Sequence, residues 1–323
     1  MLNIGITLGD PAGIGPEIVA KALYSMNRRD FKVTIFGDED NFQQVLKSCG
    51  LNYETVKNYN FINTGNGQTV EMGKLTSYSG SIAYKNIELA VQFAAEKKID
   101  ALATAPINKQ AMIQSGSKYI DHTSMLKALT GSTFITTLFE IKKLRITFLS
   151  KHMSLMDAVK YVKRENIYNA ILDTSKSMNL LGFMEPRIAV AALNPHAGES
   201  GIFGSEEKDE IIPAINDAMD KVNVSGPIPA DSVFHFASLG NYDVVLALYH
   251  DQGHIAAKTY DFRHTVSMNP GLPFLRTSVD HGTAFDIAGK NRADFASMKD
   301  AILTARKYAT VYKKRYSFLK RSS

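Results

Sequence analysis

Three histidines follow directly after short apolar runs that have the length of buried strands: His152, His196 and His250. The carboxyl ends of parallel strands meet at one edge of a sheet, and ligands gather there. Neutral imidazoles bind divalent ions well, and three of them leave a coordination position for a substrate. Each histidine alone could be a hydrogen-bonded structural residue. The three together predict a metal site.

Two of these histidines lie in polar, glycine-containing stretches, at 194–199 and 249–254. A histidine in a protein core rarely needs such neighbours. Asp251 could orient a histidine ligand or act as a base. His254 lies four residues after His250, but Gly253 between them argues against a helix face that carries both.

A second group of residues could bind an anion. A phosphate or carboxylate site needs fixed positive charge and hydroxyl or amide donors. Arg276 follows a Gly-Leu-Pro turn, which favours a loop that faces a cleft, although a solvated arginine is the simpler interpretation. The candidates are His122, Thr123, Lys258 and Arg276.

Two glycine-containing segments could approach a cofactor. Residues 9–17 connect the first predicted strand to the first predicted helix, but they match neither the G-x-G-x-x-G nor the Walker A pattern. Residues 280–290 could wrap an adenine and a ribose, or be an ordinary ordered loop. If the loop binds the cofactor, backbone amides would come from Gly282, Thr283 and Ala284, and the Asp286 carboxylate would be an acceptor.

The elements that must position these residues alternate along the chain, which predicts βαβ units and a mainly parallel sheet. Strands are predicted at 2–8, 31–36, 101–104, 134–139, 144–149, 187–192 and 244–248. Helices are predicted at 16–26, 80–98, 166–181, 206–219 and 296–312. The 323 residues are 45% hydrophobic, which is enough for a sizeable core and excludes a disordered chain. The fold class is therefore α/β.

Composition restricts the partners. Cys49 is the single cysteine, so an intrachain disulfide and a zinc–thiolate cluster are both excluded. The first residues are typical of a strand rather than a signal peptide, and no apolar run is long enough to span a bilayer. We therefore expect a cytoplasmic protein without membrane contact. The net charge of +5 suits an anionic small substrate, and a short basic end does not predict nucleic-acid binding.

Long stretches of the chain resemble the 4-hydroxythreonine-4-phosphate dehydrogenase family of pyridoxal phosphate biosynthesis. They are GDPAGIGPEI (9–18), ATAPINK (103–109), NPHAGESGIFGSEE (194–207), GPIPADSVF (226–234), YHDQG (249–253) and GLPFLRTSVDHGTAFDIAG (271–289). The segment HGTAFDIAGK also resembles the cofactor loop of isopropylmalate and isocitrate dehydrogenases. The resemblance implies two α/β domains with a cleft between them: 1–128 plus 271–323 on the cofactor side, and 129–270 for metal, substrate and dimerisation.

The resemblance also implies roles for particular residues. It makes His152, His196 and His250 metal ligands for zinc, magnesium, manganese or cobalt. One ligand would come from the partner subunit of a homodimer. It places His122, Thr123, Lys258 and Arg276 on a phosphorylated substrate, with Asp231 and Asp251 nearby and Asp251 and Lys258 as catalytic candidates. NAD would bind the loop 280–290, with NADP left open.

Two departures from the family pattern affect substrate recognition. The family usually has Gly-His-Thr-Glu where this chain has Asp121, His122, Thr123 and Ser124. It also has an asparagine substrate ligand where this chain has Ser267, with Asn269 two residues further on.

The expected reaction is the oxidation and decarboxylation of 4-phosphooxy-L-threonine to 3-amino-2-oxopropyl phosphate, CO2 and NADH. The same chemistry on 4-phospho-D-erythronate or 4-phospho-D-threonate is one alternative. A phosphate acyltransferase of the same fold is another, although it would need neither the histidines nor the loop HGTAFDIAGK.

Overall fold

Apolar runs from early and late parts of the chain form one parallel set of strands. This computed structural model describes residues 1–26, 30–119 and 121–322, and it leaves out the side chains of residues 55 and 320–322. Contacts divide the chain into unit 1 (Met1–Ile135 and Gly271–Ser323) and unit 2 (Thr136–Pro270). The strands of unit 1 are β1 (Asn3–Thr7), β2 (Lys32–Gly37), β3 (Asn60–Asn63), β4 (Ala101–Thr104) and β11 (Leu275–Val279). Their order is β3-β2-β1-β4-β11, and all neighbours are parallel.

Helices connect the strands of unit 1. They are α1 (Gly15–Ser25), α2 (Glu39–Ser48), α3 (Ser77–Ala95), α4 (Lys109–Gln114), α5 (His122–Thr130) and α11 (Ala296–Ser322), with a 3-10 helix at Tyr53–Thr55. Side-chain oxygens of Asp38, Thr76 and Asn108 accept backbone N–H groups where α2, α3 and α4 begin. On α11, the buried Tyr312 hydroxyl accepts the Gly271 N–H and donates to the Leu272 carbonyl, both at 2.8 Å. The last helix thus fixes the segment that leads into β11.

Unit 2 has a mixed set of strands. They are β5 (Leu138–Ile141), β6 (Leu144–Phe148), β7 (Ile188–Ala191), β8 (Val224–Ile228), β9 (Val244–Ala247) and β10 (Val266–Met268). Their order is β10-β5-β6-β9-β7-β8. The pairs that involve β5 are antiparallel, whereas β6, β9, β7 and β8 run parallel to one another.

The helices of unit 2 are α6 (Leu155–Tyr161), α7 (Arg164–Leu180), α8 (Ile212–Met219), α9 (Ala230–Leu239) and α10 (His250–Asp261). The predicted helix at 206–219 is divided into a π-helix at Glu207–Ile211 and α8. Pro213 in the first turn of α8 has no N–H and cannot continue the regular α-helical bonding. A π-turn at such a point is often found near a functional site.

The predicted α/β class is confirmed, with two errors in detail. The strand predicted at 134–139 lies instead at Leu138–Ile141, because the hairpin across residues 142–143 pairs Ile141 with Leu144. Strands β3, β8, β10 and β11 and several short helices were not predicted. No helix among the described residues is both long and apolar enough to cross a membrane.

Candidate active site

The strand order places the three histidines on neighbouring strands. His152 follows β6, His250 follows β9 and His196 follows β7, and these strands are adjacent in the order β6-β9-β7. Since both pairs are parallel, all three histidines follow the carboxyl ends at the same edge.

His152 and His250 share a cavity of about 540 Å³ in unit 2. Their ring centroids are 5.8 Å apart. Sequence reasoning placed Asp251 here but missed a lysine and a tyrosine next to the histidines. The other lining residues are Lys151, Met153, Leu155, Ala158, Tyr249 and Asp251.

His250 is held from two sides. Its Nδ1 lies 2.6 Å from Asp251 Oδ1, and its ring stacks on His254 with centroids 3.7 Å apart. The expectation that Gly253 would prevent a helix face with both histidines was wrong, since α10 runs through it. Gly253 is required for packing: a Cβ there would lie 2.5 Å from a ring carbon of Phe148 on β6. The stack and the carboxylate together fix the orientation of the His250 ring.

Two buried side chains connect the three strand ends. Ser150 Oγ donates to the Leu248 carbonyl at 2.9 Å, which connects the ends of β6 and β9. Gln252 accepts the Leu248 N–H and donates to the Ala192 carbonyl, both at 2.7 Å, which connects the ends of β9 and β7. Sequence reasoning missed both residues, because their bonds join segments far apart in the chain.

His196 lies on a left-handed turn. Residues 196–200 all have positive φ between 41° and 77°, and only Gly198 among them is a glycine. This conformation costs roughly 1–2 kcal/mol per non-glycine residue, so other contacts must stabilise the turn. Within the described part of this single chain, no group of three histidine, cysteine or carboxylate side chains could hold a metal ion. The structure therefore brings His152 and His250 together but does not bring His196 to them.

Arg276 is the centre of a buried cluster in unit 1. It is 5% exposed, and its Nε and Nη2 donate to Thr104 Oγ1 at 2.9 and 2.7 Å. Burial lowers the pKa of Arg276, while the charge of Asp121 opposes the shift. A guanidinium nevertheless stays protonated at neutral pH. Burial, reinforced by the charge of Arg276, holds the pKa of His122 well below its usual value. The cluster therefore combines a fixed cation with a neutral imidazole.

The start of α5 explains one departure from the family pattern. The Asp121 carboxylate accepts the Ser124 N–H at 2.9 Å and so caps the helix. The Ser124 hydroxyl donates back to the Asp121 carbonyl at 3.0 Å. Thr123 lies in the same first turn and is half-buried. In this chain, position 124 therefore takes part in capping.

Two predicted substrate residues lie on helices of unit 2. Lys258 is half-buried on α10, with its Nζ 5.4 Å from the ring centre of Phe262. Asp231 is exposed in the first turn of α9, where a carboxylate suits the helix dipole. Neither is among the residues that line the cavity at His152 and His250.

Ser267 lies on β10, opposite Phe139 of β5, and is 8% exposed. Asn269 follows the strand and is 1% exposed. Its side-chain amide donates to the Thr136 carbonyl at 3.4 Å. The Asn269 side chain is therefore used in at least one bond within the protein, whereas the family's asparagine is a substrate ligand.

The first turn and the predicted cofactor loop contact each other within unit 1. The Ile14 N–H donates to the Thr283 carbonyl at 3.0 Å. A Cβ on Gly13 would lie 2.9 Å from the Thr283 Cβ, so the close approach requires glycine. Ala284 has a left-handed φ of 42°, and Asp286 is exposed. The structure thus makes the loop an ordered surface supported by the first turn.

One amide of the first turn is already used inside the protein. Asp10 is fully buried, and its Oδ1 accepts the Ala12 N–H at 2.9 Å. Burial raises the pKa of Asp10 to about 6. A carboxylate inside the turn makes its amides less suited to the anionic groups of a cofactor.

Comparison with known proteins identifies the family. Residues 18–305 match the family described as pyridoxal phosphate biosynthetic protein PdxA. The chain belongs to the PdxA family. It is therefore a member of a family of dehydrogenases that act on phosphorylated threonine-like or threonate-like substrates.

The substrates in the names of individual relatives differ. The chain is 46% identical to a candidate D-threonate 4-phosphate dehydrogenase from Halalkalibacterium halodurans, over 95% of this chain and 96% of that protein. It is 44% identical to another from Symbiobacterium thermophilum, over 96% and 98%. A solved structure of 4-hydroxythreonine-4-phosphate dehydrogenase from Klebsiella pneumoniae is similar with a TM-score of 0.85 and 35% identity, over 96% of this chain and 100% of that one.

Proposed function

We propose that this chain is an NAD-dependent, divalent-metal-dependent dehydrogenase that oxidises and decarboxylates 4-phospho-D-threonate. The observation that carries the choice of substrate is the 44–46% identity, along almost the whole chain, to proteins with that substrate in their names. The 4-hydroxythreonine-4-phosphate dehydrogenase structure is more distant, at 35%. This reverses the order of the two substrates expected from the sequence, so 4-phosphooxy-L-threonine becomes the second candidate.

His152, His196 and His250 would hold the divalent ion. The histidine pair that lines one cavity fits such an ion, and the Asp251–His250 bond leaves Nε2 of His250 as the ligand atom. When bound, a divalent ion lowers the pKa of a substrate hydroxyl and stabilises the negative charge that develops on decarboxylation.

A homodimer would complete the site. The described residues of one chain hold no group of three ligands, and the third histidine would then come from the partner subunit. Large apolar side chains close to the three histidines in sequence are exposed, which a second copy of unit 2 would bury. They include Leu155 at 62%, Met156 at 70%, Ile202 at 73%, Phe203 at 47% and Ile255 at 64%.

The substrate's phosphate would bind Arg276, His122 and Thr123. Arg276 is suited to this task because its guanidinium is buried and fixed by Thr104 before any ligand arrives. Binding energy from a remote phosphate can then orient the reacting carbon.

The proposed oxidation and decarboxylation require no reactant other than the substrate and NAD. Asp251, or a water that it orients, would take the proton of the C3 hydroxyl, and the hydride of C3 would pass to bound NAD. The resulting β-keto acid would lose its C1 carboxylate as CO2, and C2 would then take up the proton that was removed from the C3 hydroxyl. A hydroxyl at C2 then gives a phosphorylated hydroxyketone, whereas an amine at C2 gives the phosphorylated aminoketone. The loop with Gly282, Thr283, Ala284 and Asp286 would hold the cofactor, and NADP remains an alternative to NAD.

The test is an NADH-release assay with both phosphorylated acids, with and without a chelator. We expect faster turnover of 4-phospho-D-threonate and loss of activity on chelation. Preference for 4-phosphooxy-L-threonine would overturn the substrate, and full activity in the chelated sample would overturn the metal. Family membership favours a dehydrogenase over the phosphate acyltransferase alternative. Acyl transfer without NADH release would reverse that preference.

A further inference from the structure

Glu207 is a buried carboxylate to which the proposed mechanism gives no task. It is 3% exposed and is the first residue of the π-helix at Glu207–Ile211. A buried carboxylate must be well hydrogen-bonded to be tolerated. Its partners therefore show what it holds in place.

Those partners are the residues that lead into the His196 turn. Glu207 Oε1 accepts the backbone N–H of Leu193 at 2.8 Å and that of Asn194 at 2.7 Å. The Asn194 side-chain amide donates to Glu207 Oε2 at 2.8 Å and to Glu206 Oε2 at 2.7 Å. One carboxylate thus fixes the backbone immediately before Pro195 and His196.

The turn itself also contacts this carboxylate. A Cβ on Gly198, in the middle of the left-handed segment, would lie 2.8 Å from Glu207 Oε2. The Phe203 N–H donates to the Gly198 carbonyl at 3.2 Å and closes the turn. Glu207 therefore borders the turn at its entry and at its centre.

We propose that Glu207 is a positioning residue that holds His196 in its ligand orientation. This inference rests on the proposed function, in which His196 binds the metal. Charge-assisted bonds to Glu207 compensate for the unfavourable left-handed backbone, and the backbone of the turn sets the direction of the His196 imidazole. Loss of these bonds lets the turn relax and moves His196 away from the ion.

The experiment compares Glu207→Gln with Glu210→Gln. A glutamine carbonyl at 207 can still accept the two backbone N–H groups, but its amide then faces the Asn194 amide, donor against donor. Glu210 is on the same π-helix, and its carboxylate accepts Lys163 Nζ and the Arg164 N–H, both at 2.8 Å. It is therefore a matched control that does not contact the turn. Glu207→Ala removes all the bonds and serves only if it folds.

Three measurements are made on each protein: affinity for Co²⁺ added to metal-free protein, the visible spectrum of the Co²⁺ form, and thermal stability without metal. We expect Glu207→Gln to weaken Co²⁺ binding roughly 10–100-fold and to shift the spectrum towards that of His196→Ala. Glu210→Gln should bind as the unaltered protein does. A purely stabilising role would lower the melting temperature of Glu207→Gln and leave the spectrum unchanged, which would overturn the proposal.

A separate result distinguishes a wrong metal site from a wrong role for Glu207. If the unaltered protein itself binds no Co²⁺, the proposed metal site is wrong. Hydrogen exchange at the Leu193 and Asn194 amides then decides whether Glu207 holds the turn. Faster exchange in Glu207→Gln but not in Glu210→Gln supports the positioning role, and equal exchange in all three proteins rejects it.

Discussion

In unit 2, the candidate ligands His152 and His196 are exposed, and the side chains that hold the strand ends around them are buried. In unit 1, the candidate phosphate-binding side chain itself is buried: Arg276 is 5% exposed and is bonded to the fully buried Thr104. One region thus keeps its candidate ligands accessible on a fixed support. The other keeps its charge inside the fold.

Because of this difference, substitutions in unit 2 should change ligand binding without changing stability, whereas substitutions in unit 1 should change both. An exposed imidazole contributes little to folding, so its removal should affect binding alone. A buried guanidinium must have its acceptors when the protein folds, because an unsatisfied buried charge is costly. Changes in the Arg276 cluster should therefore affect stability and substrate binding together.

The largest effect is expected for His152→Ala. Turnover should fall roughly 100-fold or more, since even partners that only support a ligand are worth about 10–100-fold. The melting temperature in metal-free buffer should not change, because the side chain is exposed. The control is His235→Ala, which changes an exposed histidine of α9 and should retain activity. A lower melting temperature for His152→Ala would mean that the exposed region is also a structural one.

Thr104→Val tests the buried region with a change of nearly the same shape. It removes the acceptor of two bonds from a charged group, so the free energy of unfolding should fall by about 3 kcal/mol. Urea denaturation measures this, and the Michaelis constant for the phosphorylated substrate should rise in parallel. Thr130→Val loses the bonds of a hydroxyl to the Leu126 carbonyl and to the Ser132 hydroxyl, both uncharged groups, and should cost less. Equal stability of the two variants would contradict the claim that Arg276 depends on Thr104.

The smallest effect is expected for Ser267→Asn. The longer amide should add about one hydrogen bond to 4-phosphooxy-L-threonine, worth about 1 kcal/mol or about fivefold in the Michaelis constant. Turnover should hardly change, as for binding shared by ground and transition states. If Ser267→Asn has no effect but Asn269→Ala weakens binding, the assumed alignment is wrong by two residues. If neither matters, β10 does not belong to the substrate site.

Much of the fold follows from local patterns in the sequence. The runs of β7 and β9 are apolar on both faces, and those of β1, β4 and β6 have apolar residues at least at every second position. The existence of these strands was therefore predictable, and so was the position of a histidine after three of them. Strands β10 and β11 were missed because β10 is only three residues long and β11 follows a turn with Pro273. Short segments with polar residues carry too little pattern to distinguish a strand from a loop.

The residues that hold the candidate ligands in place could not be predicted, since they act through contacts between distant parts of the chain. Gln252 bonds to Ala192 across 60 residues, and nothing near either residue indicates that pairing. Glu207 was part of a predicted helix, where a glutamate is ordinary. The prediction that Gly253 argues against a helix face with both His250 and His254 was wrong, because this glycine is explained by packing against β6 and not by a break in the helix.

The division of unit 1 between the two ends of the chain has a consequence for protein synthesis. Thr104 and Arg276 are 172 residues apart, so β4 leaves the ribosome roughly 10–30 s before its neighbour β11. By the end of that interval all of unit 2 has been synthesised, whereas the sheet of unit 1 still lacks a strand. The buried arginine cluster forms only after Arg276 has emerged, and the bonds of Tyr312 to Gly271 and Leu272 form later still. A chain cut before residue 271 would contain the whole of unit 2 but neither Arg276 nor Tyr312.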